Sequence, residues 1–147
     1  MKKENKPLKI DKMAKTLCGV TPDNITTLGQ NQVFVFGSNL AGAHYGGAAK
    51  AAVIHFGAQM GVGVGIQGCS YAIPTMQGGP ETIQPYVDDF VEYAKAHPTL
   101  QFLVTRIGCG IAGFKAIDIA PLFAKAAQLP NVSLPSDFIR VIETMIP

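Results

Sequence analysis

Two short runs of apolar, strand-forming residues, each emptying into glycines, constrain this chain more than any other feature. Val33-Phe34-Val35-Phe36 stops at Gly37, and Gln101–Thr105 (QFLVT) leads to Gly108 and Gly110. Neither run alternates apolar with polar residues, so neither suits a strand with one face in water. Both read as strands buried on both faces, inside a sheet flanked by helices. A third run, Ser70–Pro74 (SYAIP), follows the glycine-dense segment Gly57–Gly68.

Helical patterns occupy the intervals. Gly46–Phe56 (GGAAKAAVIHF) is alanine-rich after its first glycines. Gly78-Gly79-Pro80 is a break, and Glu81–Ala96 after it is the strongest helix, with Ile83, Val87, Phe90, Val91 and Ala94 on one face. Asp88, Asp89 and Glu92 fall on the other face, as a solvated surface rather than a catalytic cluster. Ala116–Leu129 is expected to be one further helix, with Pro121 tolerated in its first turn. Val132–Leu134 and Phe138–Met145 fit either strands or a helix. Near the start, Ile10, Met13, Ala14 and Leu17 predict a short amphipathic helix ending near Cys18-Gly19. Thr21-Pro22-Asp23-Asn24 is a turn or helix-start signal. Alternating strand and helix signals make the fold class α/β, a mostly parallel sheet covered on both sides.

The 147 residues suffice for one domain, and 48% apolar against 15% charged residues suits a compact core rather than disorder. Met1–Lys15 holds six lysines against Glu4 and Asp11. Residues 1–20 are therefore set apart as a lysine-rich extension, and residues 21–147 as the folded domain. That extension lacks arginines and interleaved aromatics, which argues against a nucleic-acid role. No stretch reaches the roughly 18 apolar residues of a membrane span, and no signal-peptide core is present. A cytoplasmic location is the expectation. Cys18, Cys69 and Cys109 are widely spaced with no CxxC pair, a pattern that fits neither a disulfide framework nor a zinc site. No metal is expected.

The chemistry sits in the two loops after the buried strands, Gly37–Ala48 and Gly108–Phe114. Ligands of open α/β sheets bind at the carboxyl ends of strands. Glycine lets the backbone approach a ligand closely, and a helix N-terminus beneath favours phosphate. No Asp or Glu occurs between Asp23 and Glu81 or between Glu92 and Asp118, so neither loop repels an anion. Gly42–Lys50 (GAHYGGAAK) fails as a Walker loop, because its lysine is displaced and no hydroxyl follows. Gly63–Gly68 (GVGIQG) fits G-x-G-x-x-G but precedes a strand instead of opening a helix. That segment is left as a candidate ligand-covering loop.

FVFGSNLAGAHYGGAAKAA, SYAIPT and VTRIGCGIAGF together resemble the macrodomain superfamily. The likeness is greatest to the divergent branch of terminal ADP-ribose glycohydrolases, whose second loop is similar to Arg106–Ala112, and to small bacterial and phage proteins of unassigned function. It spans about Asp23 to Phe138. The resemblance implies a three-layer α/β/α fold with a mixed sheet, and ADP-ribose or a related NAD-derived nucleotide as ligand. In the first loop it implies contacts from Gly37, Ser38, Asn39, Gly42, Gly46, Gly47 and Ala48, with Asn39 near the distal ribose and Gly46-Gly47 against the phosphates. In the second, Gly108, Cys109, Gly110, Ile111, Ala112 and Gly113 would close over the diphosphate. Phe114 would set a ring beside a ribose or base, or else is plain core. Asp23 would read the adenine amino group, or else caps a turn.

The hydrolytic pattern of that branch is not matched. Met76 follows the SYAIPT run where the family has a lysine, and Ala112 stands where it has an acid; Lys50 and Lys115 fall outside the motif positions. Neither Met76 nor Ala112 can form a Schiff base or carry a proton. Asn39 and His44 remain as candidate catalytic residues, with His44 as an acid or base, a phosphate donor, or a solvent-facing side chain. Cys109, between glycines, is a weaker nucleophile candidate with no evident base. Three functions are carried forward: a nucleotide binder, a hydrolase of ADP-ribosyl linkages, and a non-catalytic interaction or assembly module. The expected partner is a small nucleotide or an ADP-ribosylated macromolecule, with no cofactor besides that ligand.

Overall fold

The computed structural model describes residues 18–146 as a six-stranded mixed sheet with helices on both faces. The strands are β1 (Gly19–Val20), β2 (Gln32–Ser38), β3 (Gly65–Gln67), β4 (Ser70–Pro74), β5 (Gln101–Val104) and β6 (Val132–Leu134), in the spatial order β1-β6-β5-β2-β4-β3. Every pairing is parallel except the β3–β4 edge hairpin. The central strand is β2, with Val35 opposite Tyr71 of β4 and Val104 of β5.

Strand alternation builds two cores. On one face, Val33, Val35, Tyr71, Ile73, Phe102 and Val104 pack with helix α2 (Gln84–Ala96) and with the chain from 119 to 142. On the other, Phe34, Phe36 and Ala72 pack against helix α1 (Gly47–His55) through Ala49 and Ala52. Burying a side chain such as Phe36 contributes about 1.5–3 kcal/mol, which is why the continuous apolar runs occupy the middle of the sheet. The predicted face of α2 is buried, while Asp88, Asp89 and Glu92 are exposed. Its C-terminal turn is clamped by Asn131 of the loop before β6, whose Nδ2 donates to the carbonyls of Ala94, His97 and Leu100 at 3.0–3.1 Å.

Four expectations are corrected or resolved. Ala116–Leu129 is not one helix but a single turn, α3 (Ala116–Ile119), followed by two 3-10 turns, Ala120–Phe123 and Ala126–Gln128. Pro121 cannot donate a backbone hydrogen bond, and α3 with the tighter turns still buries Ile119, Phe123 and Ala126. The ambiguous C-terminal segment resolves into strand β6 and helix α4 (Ser136–Glu143). The domain starts earlier than residue 21, because Cys18 is in the core and Gly19–Val20 pairs with Ser133–Leu134. Thr21–Asn24 is irregular chain, not a helix start. The helix expected over Ile10–Leu17 lies outside the described residues. Among the described residues no helix is long and apolar enough to cross a membrane.

Candidate functional site: two clefts that share one border

β2 and β5 run side by side, but their continuations leave for opposite faces: β2 toward α1, β5 toward α3 and the 3-10 turns. Such a reversal opens a crevice at the carboxyl ends of the strands. Two clefts lie there, of about 390 and 340 Å³, each within the range of small-molecule sites. Gly47, Ala48, Thr105 and Arg106 border both, so the clefts meet along that line.

Helix α1 begins at this border. Its N-cap is Gly46, no side chain caps it, and no acidic residue occupies its first turn. Gly47, Ala48 and Ala49 leave their N–H groups without a partner among the described residues. Those donors and the helix dipole present partial positive charge. The same border includes Arg106, the one charged residue lining the first cleft among the described residues. Its Nη2 lies 3.0 Å from Asp137 Oδ2 in the first turn of α4. The strand ends are tied by hydroxyls: Thr105 Oγ1 donates to the Val35 carbonyl at 2.8 Å and Thr75 Oγ1 to the Ser38 carbonyl at 3.3 Å.

The structure brings much of the expected set together. Gly37, Ser38, Asn39, Gly46, Gly47 and Ala48 line the first cleft from one side. Gly108, Gly110, Ile111 and Ala112 line it from the other, with the N–H groups of the last three unpartnered among the described residues. Asp23 lines the second cleft, beyond the shared border. The Asn39 amide is already engaged: Oδ1 accepts from the Ala43 N–H at 2.8 Å, and Nδ2 donates to the Ala43 carbonyl at 3.0 Å. Asn39 thus shapes the loop from within the cleft lining. The Ser38 hydroxyl is likewise spent, on the Gly63 carbonyl.

Five expected residues do not line either cleft. His44 is only 2% exposed; its Nε2 meets the Val62 carbonyl at 2.9 Å and its ring stands edge-on to Phe36 at 5.3 Å. It is a strut behind the loop, not an acid or base in front of it. Gly42 faces the same way, with its Cα against the Gly61–Val62 peptide. Cys109 and Phe114 pack on the larger core beneath the second loop, and Gly113 closes that loop by donating to the Gly110 carbonyl at 3.0 Å. Burial pushes the Cys109 thiol up, with the Arg106 guanidinium pulling the other way, which disfavours the thiolate that a nucleophile needs. The glycine-dense segment is also reassigned. Gly61–Gly63 supports the first loop from behind, where an added Gly63 Cβ would collide with the Asn39 carbonyl, and the segment lines neither cleft.

Sequence reasoning missed Arg106 as a site residue, along with Thr105 and the exposed Tyr45. The signal for Arg106 was its isolation: it is the one charged residue between Lys95 and Lys115. No group of three or more His, Cys, Asp or Glu side chains able to hold a metal occurs among the described residues. In comparisons with known proteins, no family model, no curated protein and no solved structure matches this chain.

Proposed function

We propose that this protein is a binding module for ADP-ribose or a related NAD-derived nucleotide, with the two clefts holding the two ends of the ligand. The observation that carries the reading is the shared border. A helix N-terminus with three unpartnered N–H groups shares that border with Arg106, and a cleft without further cations extends to each side. That distribution suits a ligand with its anion in the middle and uncharged arms at both ends, as in a sugar–diphosphate–nucleoside. Asp23, in the second cleft, supplies an acceptor for an amino group such as that of adenine. The loop patterns resembling macrodomains, FGSNLAG and RIGCG, supply part of this lining and point to the same ligand.

Binding is favoured over hydrolysis by what lines the first cleft. Among the described residues its titratable side chains are Tyr45 and Arg106, while Met76 and Ala112 occupy the positions where the resembled branch carries its reactive groups. Calorimetric titration with ADP-ribose, AMP, NAD and cyclic ADP-ribose tests the reading. Saturation with ADP-ribose at 100 times its Kd should also raise stability by about 2.7 kcal/mol. Heat signals for none of the four would remove the proposal.

A further inference from the structure

Large apolar side chains gather at the first cleft. Ile111 and Tyr45 are the two most exposed large apolar residues among the described ones, at 79% and 77%, and Met76 is 52% exposed. All three border the first cleft and none borders the second. They come from three connections: Tyr45 from the loop after β2, Met76 from the chain after β4, and Ile111 from the loop after β5. Ile111 reaches across the gap, its Cδ1 3.5 Å from where a Gly46 Cβ would stand. Single exposed apolar residues are ordinary, but three converging from separate loops on one cleft mark a contact surface. Arg106, the cleft's cation, belongs to the border with the second cleft, so these residues form an uncharged end.

Resting on the nucleotide reading above, we propose that this end takes a flat, uncharged ring carried on the distal sugar of the ligand. The preferred ligand class is then a dinucleotide or aryl conjugate rather than a bare sugar diphosphate. A phenol ring and a thioether have specific uses in such a site: Tyr45 offers a face or edge for stacking, and Met76 a polarisable sulfur at short range to a ring. A carboxylate or ammonium on the distal sugar would find no partner of opposite charge there and would lose hydration. The diphosphate stays at the border, and the ring extends the ligand outward from it.

The test compares ADP-ribose with NADH, which keeps the adenosine diphosphoribose portion and adds an uncharged dihydronicotinamide ring, by calorimetric titration of the full chain. NADH should bind about tenfold more tightly than ADP-ribose, about the worth of one flat ring packed on the Tyr45 phenol. Tyr45→Ala and Met76→Ala should each weaken NADH by a larger factor than ADP-ribose and so narrow that gap. Both side chains are exposed, so the variants should keep the wild-type melting temperature. NADH binding no tighter than ADP-ribose overturns the inference, as do variants that weaken both ligands equally. If neither ligand binds the wild-type chain, the nucleotide reading itself fails, a result distinct from equal binding of the two.

Discussion

The guanidinium of Arg106 is held 3.0 Å from the Asp137 carboxylate at the line where the two clefts meet. Its side chain is 60% exposed, so the pair itself adds under about 1 kcal/mol to stability. Its electrostatic effect on an anion opposite the start of α1 is larger, because an ionised donor strengthens a hydrogen bond to phosphate. Arg106→Gln should therefore weaken ADP-ribose and AMP about tenfold and flatten the salt dependence of their binding. Unphosphorylated adenosine should bind as before. Titrations at two ionic strengths check this, and an equal loss for adenosine would show that Arg106 shapes the cleft instead of meeting charge.

Two glycines of the first loop, alike in sequence, carry opposite duties. Gly42 has φ +69° and its missing Cβ would fall 2.3 Å from Gly61 C and Val62 N, whereas Gly47 has φ +58° with nothing within 4 Å. Gly42→Ala combines left-handed strain with backbone overlap and should cost about 2–5 kcal/mol. Gly47→Ala carries only the strain, about 1–2 kcal/mol, but sets a methyl group at the start of α1 where the anion is expected. Chemical denaturation should rank Gly42→Ala as the less stable protein. Titration should find Gly47→Ala folded and defective in binding.

His44 ties the first loop to the segment behind it through the Val62 carbonyl, and its Nδ1 is buried without a partner. His44→Ala takes one of two donors from that carbonyl, which keeps the Gln67 amide, and removes the ring set against Phe36, so it should cost about 2–4 kcal/mol of stability. If the side chain is a strut, ligand affinity measured well below the lowered melting temperature should fall no more than about threefold. A hundredfold loss in a folded variant would return His44 to the site.

Much of the sheet was legible because β2, β4 and β5 are buried on both faces, and burial on both faces leaves an unbroken apolar run in sequence. The loops were legible as loops for the same reason: glycines follow the strands directly. Which way each loop residue points was not legible. His44 and Tyr45 are neighbours, yet one is sealed behind the loop and the other stands in the cleft. That choice is set by contacts with Gly61–Gly63, a segment whose position depends on the edge hairpin. Gln67 holds the hairpin by accepting from the Gln59 N–H at 2.8 Å and donating to the Val62 carbonyl at 3.0 Å. A turn of the second loop likewise aims Cys109 and Phe114 at the core, which for Phe114 selects the core reading over the ligand-facing one. The 3-10 turns after α3 escaped because alanine-rich spacing suits a helix, and Pro121 decides otherwise only in combination with the packing of Ile119 and Phe123.

Burial at two ionisable core groups predicts how stability depends on alkaline pH. Desolvation raises the Cys18 thiol from 9.0 to about 11 and the Tyr71 phenol from 10.0 to about 12, the latter helped by the charge of Asp89. Both groups are neutral when protonated, so burial favours the protonated form in the folded state. Above pH 9 the unfolded chain gives up the Cys18 proton first, and above pH 10 the Tyr71 proton, while the folded chain keeps both. The unfolded state then binds fewer protons, and stability falls as pH rises. The loss should begin near pH 9 and level off near pH 12, with these two contributions absent at neutral pH. Denaturant midpoints measured between pH 8 and 11 should decline. Cys18→Ser should decline less steeply over the lower part of that range, because a hydroxyl there does not titrate. Thiol labelling gives an independent reading: exposed Cys69 should react before buried Cys18 in the folded protein. A flat midpoint across this range would mean that Cys18 and Tyr71 ionise in the folded chain as freely as in the unfolded one.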